Sequence, residues 1–305
     1  MNRKEPLHQQ SWSPSPGNPG EEKLRELVAE ELSLPVDPRV SEIARAIAKK
    51  HGKASRAVLF YGSCLREEQL DGLMLDFYLI VSDYRSAYPK RGLAVANRIV
   101  PPNVFYFEKD GLAAKYAVLS EVDFRRFNGP ETSSVSVWAR FAQPSRLVWA
   151  TNKRAREAAI KAVSRAAPTL LAAAGRREGE KPLDWWRRAF SLTYSAELRA
   201  ERAGRHASVV DSDRQRFVRF TAPAAAAIER KPRGGWRRRR IQGKALSVLR
   251  LAKASATFAG GADYIAWKIN RHAGTQIQLK PWQQRHPLLA AVTLLPRLIR
   301  SGAVR

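Results

Sequence analysis

The chain has 305 residues, 44% of them apolar, which is enough for a substantial core and two or three substructures. Its single cysteine excludes a disulfide framework and a cysteine-based zinc site, and five scattered histidines offer no ligand cluster. Lysine and arginine total 54 against 28 acids, and the resulting charge of +26 attracts polyanions: nucleic acid, nucleotide or an anionic bilayer.

Residues 1–20 are rich in Pro, Ser, Gly and Gln with no apolar segment, and read as a disordered tail and not a signal peptide. From Glu21 the spacing of Leu24, Leu27, Val28 and Leu32 predicts a helix that Pro35 ends. Asp37-Pro38 starts a second, with Val40, Ile43, Ala44 and Ile47 inward and His51-Gly52 closing it. Ala57 to Tyr61 and Leu73 to Val81 are predicted as buried strands, and Leu93 to Val100 as a helix. Asn103 to Glu108, the Asp110-Gly111 turn and Ala113 to Ser120 form a hairpin. An α+β fold follows: a mixed-sheet domain over 21–150, a helical domain over 151–240 and a helical region over 241–305. Within these, a helix is expected from Asn152 to Ala174 and another from near Leu183. Lys231 to Arg240 reads as a basic linker before a helix over Gly243 to Phe258. No run of eighteen apolar residues occurs. The terminal pattern of Leu288, Leu289, Val292, Leu295 and Ile299, with Arg297 and Arg300, reads equally as an interfacial or a packed helix, with a stop or kink at Pro296.

The chemistry concentrates at Tyr61-Gly62-Ser63 and at Met74-Leu75-Asp76-Phe77. A glycine leaving a strand lets backbone N–H groups approach a phosphate, and the serine hydroxyl adds a donor. Aspartate is disfavoured inside a strand, so Asp76 among Leu75, Phe77, Leu79 and Ile80 calls for a reason, and a magnesium ion bridging carboxylate and triphosphate supplies one. Two-metal nucleotidyl transfer ordinarily pairs carboxylates at i and i+2, on one strand face, but the i+2 residue here is Tyr78. Asp83, Glu108, Glu121 and Asp123 are candidates for a second metal ligand, Asp83 being the one carried forward. Lys115 either points into a cleft, where it neutralises phosphate charge, or guards a sheet edge. Tyr194-Ser195 with Arg199, and Lys244, Arg250 and Lys253, are weighed between core packing or solvent and substrate contact.

These residues resemble the mitochondrial-type phosphatidate cytidylyltransferases, the maintenance-protein type of CDP-diacylglycerol synthase. The resemblance runs over roughly 56–270 and rests on Tyr61-Gly62-Ser63, Met74 to Phe77, Asn103 to Phe107 and Lys115 to Ser120, with weaker echoes at Tyr194-Ser195, Arg199 and Lys253. Cys64 and Ala117 stand where that family usually has glycine, and the insert between Ser63 and Asp76 is shorter, as in a bacterial branch. The resemblance implies a nucleotidyltransferase-like domain that moves CMP from CTP to phosphatidic acid with magnesium, releasing pyrophosphate. The protein would be cytoplasmic and peripheral to the inner face of the cell membrane. Tyr61, Gly62, Ser63, Tyr116 and Arg199 would then hold nucleotide, Asp76 and Lys115 would be catalytic, and Asp76 with Asp83 would hold metal. Tyr194, Lys253, Arg297 and Arg300 would meet lipid or substrate. RNA is the competing acceptor, given Arg237 to Arg240, and a non-catalytic basic binding protein is the other alternative.

Overall fold

The computed structural model describes residues 18–66, 70, 72–197 and 209–257, with the backbone alone for 251, 252 and 254–257. Five strands form one mixed sheet: β1 (Ser55–Tyr61), β2 (Met74–Val81), β3 (Asn103–Lys109), β4 (Leu112–Ser120) and β5 (Ser145–Ala150), in the order β3-β4-β2-β1-β5. β1 is antiparallel to β2 and β5, β3 and β4 form the expected hairpin, and β2 runs parallel to β4. The hairpin turn places Asp110 at φ 51° and Gly111 at φ 74°. Two consecutive positive φ values mark the mirror-image turn whose twist matches that of the strands, and Asp-Gly is suited to it.

Two helices precede the sheet, α1 (Pro19–Leu32) and α2 (Pro38–His51), each started by a side-chain cap followed by proline. The short α3 (Tyr84–Ala87) and α4 (Arg91–Ile99) carry the chain from β2 to β3, while α5 (Glu121–Asn128) and α6 (Trp138–Phe141) link β4 to β5. Then follow α7 (Lys153–Val163), α8 (Ala166–Ala174), α9 (Pro182–Ala196), α10 (Arg214–Ala226) and α11 (Trp236–Thr257).

Strand alternation divides the apolar residues between two layers. Val58, Phe60, Phe77, Leu79 and Val118 pack with the inner face of α2. Leu59, Tyr78, Ile80 and Leu119 belong to the other cluster, which includes Leu24 of α1, Phe141, Trp186 and Phe217. That second cluster draws residues from both sides of position 150, so the expected sheet and helical divisions share one core. An ion pair helps close it: Arg216 of α10 donates to both carboxylate oxygens of Glu31 in α1, and its third nitrogen donates to the Ala142 carbonyl at 3.0 Å.

Several elements differ from expectation. The single helix over 152–174 is broken between Val163 and Ala166. The basic linker is helical from Trp236 onward. Within it Arg239 is buried and donates to the carbonyls of Ser133, Pro232 and Arg233, beside the rings of Trp138 and Trp236. No described helix is long and apolar enough to cross a membrane. The terminal segment containing Arg297 and Arg300 lies outside the described residues.

Candidate active site

The pairing register builds the site. Ser145, Tyr61, Asp76, Lys115 and Tyr106 are successive Cα partners across all five strands, forming one row over the sheet. Directly paired residues share a sheet face. Because β2 and β4 are parallel and in this register, Asp76 and Lys115 become immediate neighbours although 39 residues separate them in the chain, and Lys115 Nζ lies 2.9 Å from Asp76 Oδ1. Each side chain is 22% exposed. Lys115 is on the inner of the two hairpin strands, so the edge-guarding alternative does not describe it.

A cleft of about 290 Å³ opens over this row. Its walls include Tyr61, Gly62 and Ser63 from the end of β1, Asp76 and Tyr78 from β2, and Lys115 and Ala117 from β4. The helical layer contributes Ser136, Arg140, Gln143, Tyr194 and Arg250, and Pro102 and Val104 complete one side. Gly62 has φ 98°, and a β-carbon there would stand 3.3 Å from Asp76 Oδ2, so any side chain strains the turn and crowds the carboxylate. Cys64 turns away from the cleft: it is buried in the lower layer, with its thiol donating to the Met74 carbonyl at 3.4 Å. Tyr61 and Tyr78 pack ring to ring, and burial, reinforced by the Asp76 charge, raises the Tyr61 pKa and keeps the phenol protonated.

Among the described residues three cations face the cleft. Besides Lys115, Arg140 is 3.7 Å from the buried carboxylate of Glu197 and donates to the Ser136 carbonyl. Arg250 donates to the Pro101 carbonyl at 2.8 Å and to the Ser136 hydroxyl at 2.9 Å. Burial pushes the Arg250 pKa down, while its ordinary value lies far enough above neutrality for the side chain to stay charged. Lys253 stands behind this wall, donating to the Val100 carbonyl and, at 2.9 Å, to that of Pro102. Burial, with a smaller contribution from Arg250, lowers its pKa to about 8.

Eight residues singled out from sequence therefore come together: Tyr61, Gly62, Ser63, Asp76, Lys115, Tyr194, Arg250 and, against the outer wall, Lys253, while Lys244 is exposed. Tyr116 does not join them. It follows Lys115 by one residue and so takes the opposite sheet face, where it is 1% exposed and bonded to His51 Nε2 at 3.1 Å. Asp83 does not join them either. It lies beyond the far end of β2, roughly 20 Å along the strand from Asp76, and caps α3 through Ser86. Glu108, Glu121 and Asp123 are likewise engaged elsewhere, with Tyr106, Arg56, and Tyr84 and Arg126 respectively. Arg199 lies outside the described residues. Arg140, Ser136, Gln143 and Glu197 were not singled out from sequence: nothing in the local spacing of the α6 segment or the end of α9 distinguishes them from ordinary helical surface.

Magnesium can be tested against this donor set. No group of three or more His, Cys, Asp or Glu gathers among the described residues. Asp76 Oδ1 is nonetheless buried without a directed hydrogen bond, because Lys115 Nζ is close in distance but not aligned as a donor. Magnesium typically retains waters and binds through one or two carboxylates plus substrate phosphates, so the half-buried Asp76 carboxylate, paired through Oδ1 with Lys115, fits as a single protein anchor whose remaining ligands would be water and substrate oxygens. Comparison with protein-family models and with curated proteins finds no match to this chain.

Proposed function

We propose that this protein is a nucleotidyltransferase whose acceptor carries a phosphate, and that CTP and phosphatidic acid are its substrate pair. The observation that supports transfer is the single row in which Asp76, Lys115 and Tyr61 meet beneath a cleft bearing two further arginines. Among the described residues one carboxylate and three cations line the cleft, which suits a polyanion, and the half-buried Asp76 is the group that would hold a metal ion within it. The choice of CTP and phosphatidic acid follows the family resemblance.

The Gly62-Ser63 turn holds the triphosphate, its backbone brought close by the absence of a side chain at Gly62. Asp76 would hold magnesium, which when bound neutralises triphosphate charge. Lys115, Arg140 and Arg250 draw the two anions together and stabilise charge that develops on the transferred phosphoryl group. A phosphate oxygen of the acceptor attacks the α-phosphorus of CTP. One P–O bond forms there, the bond to the bridging oxygen breaks, and pyrophosphate leaves. The acceptor oxygen is already anionic near neutral pH, so no general base is required, and no buried histidine is needed in the cleft.

Incubation of the full chain with CTP, magnesium and phosphatidic acid vesicles, beside a parallel reaction with single-stranded RNA, tests this reading. CDP-diacylglycerol and pyrophosphate are the expected products. RNA extension with no lipid product would replace the acceptor, and neither product would remove the enzymatic reading.

A further inference from the structure

Among the described residues, eight large apolar side chains are exposed, and five of them lie on just two helices, α4 and α11. Three of these five lie on α11 alone, a concentration unlike the usual scatter of single surface residues. On α4 the outer positions are Arg91, Val95, Arg98 and Ile99, a spacing that gathers them on one side of the helix. Val95 is 55% exposed and Ile99 72%. On α11 the exposed apolar residues are Ile241, Val248 and Leu249, interleaved with exposed Arg237, Arg238, Arg240 and Lys244.

The two helices are joined. Lys253 and Arg250 of α11 donate to the carbonyls of Val100, Pro101 and Pro102, immediately after Ile99. The same Arg250 and Pro102 line the cleft, so α11 and the segment after α4 both reach its wall. Residues 236–257 contain seven cations and no acid. Such a face combines what an anionic bilayer recognises: aliphatic side chains that enter the acyl boundary and long cationic ones that snorkel to the headgroups. A nucleic acid would use the cations and gain little from exposed isoleucine, valine and leucine.

We propose that the outer face of α4 and α11 seats this protein on an anionic lipid surface, beside the mouth of the cleft. This assigns the membrane contact to described helices of the chain. Its purpose rests on the lipid-acceptor reading, yet it is measured without nucleotide, so failure of one is distinguishable from failure of the other.

The test is co-sedimentation of the full chain with phosphatidylcholine vesicles containing phosphatidylglycerol, and with phosphatidylcholine alone. Binding is expected to the mixed vesicles only. Ile241→Ser/Leu249→Ser and Val95→Ser/Ile99→Ser each weaken it by roughly tenfold or more, as loss of interfacial aliphatic area requires, while RNA binding is unchanged. Arg237→Gln/Lys244→Gln weakens it and flattens its salt dependence. Because all these positions are exposed, circular dichroism is expected to match wild type. The proposal is overturned if neither apolar pair alters vesicle binding, or if both weaken RNA and vesicle binding alike. It is also overturned if a fluorophore on Ile241→Cys is already shielded before vesicles are added, which would show residues 258–305 or a second copy covering the face.

Discussion

At Gly62 two demands meet on one residue, because its backbone φ of 98° strains any side chain and a β-carbon 3.3 Å from Asp76 Oδ2 would push that carboxylate aside. Gly62→Ala is expected to cost about 1–3 kcal/mol in stability from backbone strain and, by displacing the Asp76 carboxylate, to lower turnover more than stability alone explains. Chemical denaturation and kcat/KM on the same preparation separate the two effects. If the proposed transfer takes place here, Lys115→Met removes a cation beside the reacting phosphate, so kcat/KM for nucleotide transfer is expected to fall at least tenfold, or about 1.4 kcal/mol. An unchanged value would assign Lys115 a purely structural pairing with Asp76. At this scale the sequence is legible where a residue is anomalous for its setting. An aspartate inside an apolar strand is such an anomaly, and so is a lysine flanked by Ala114 and Tyr116. Tyr116 shows the corresponding error, since adjacency in a motif is not adjacency in space when side chains alternate. Arg140 and Glu197 carried no anomaly at all, because a charged residue on a helix is unremarkable until the tertiary fold buries its partner.

Strands and helices were read best where turn and cap chemistry agreed with periodicity. Asp37-Pro38, His51-Gly52 and Asp110-Gly111 each set a boundary that the structure keeps. The arginine run misled, because a high density of like charge reads as a solvated linker. Arg239 escapes that expectation by sinking between two tryptophans and satisfying three carbonyls, while its neighbours stay exposed. The α1–α10 contact gives a prediction at this scale. Glu31 and Arg216 are 9% and 7% exposed, and Arg216 also stacks over Phe217 and Phe220. Glu31→Leu leaves that guanidinium buried without its counter-charge and is expected to destabilise by roughly 3–5 kcal/mol in urea unfolding. A value within experimental error of zero would mean that Arg216 finds water.

Lys253 links α11 to the β3 entrance, and its titration provides a second test of that junction. Its pKa falls from the ordinary 10.5 to about 8 on folding, chiefly through burial. Between those values the unfolded chain binds more protons than the folded one, so stability rises as pH climbs from about 8 towards 10.5. The wild-type stability measured relative to Lys253→Met is expected to grow across that interval and to be flat below it. A difference independent of pH would show the ammonium to be well solvated.

For the molecule as a whole, an excess of 26 positive charges creates a field that favours polyanions before any site is considered. The fold then sorts these charges into different work. Arg216 and Arg239 hold elements together, Lys115, Arg140 and Arg250 face the cleft, and Arg91 and Arg98 of α4 with Arg237, Arg238 and Arg240 of α11 lie exposed on the surface. Composition reports only the sum, which is why charge alone did not distinguish RNA from lipid or nucleotide. The shared core across position 150 follows the same logic: the shift to Ala- and Arg-rich helices marked a change of architecture, while the contacts that fuse the two are long-range and leave no local trace. The most direct test of the central claim compares wild type with Asp76→Asn in transfer of α-phosphate label from CTP to phosphatidic acid vesicles, with unfolding curves recorded alongside. The account predicts label in the lipid fraction for wild type, its loss in the variant, and unchanged cooperative unfolding. Equal lipid labelling by both proteins would contradict it.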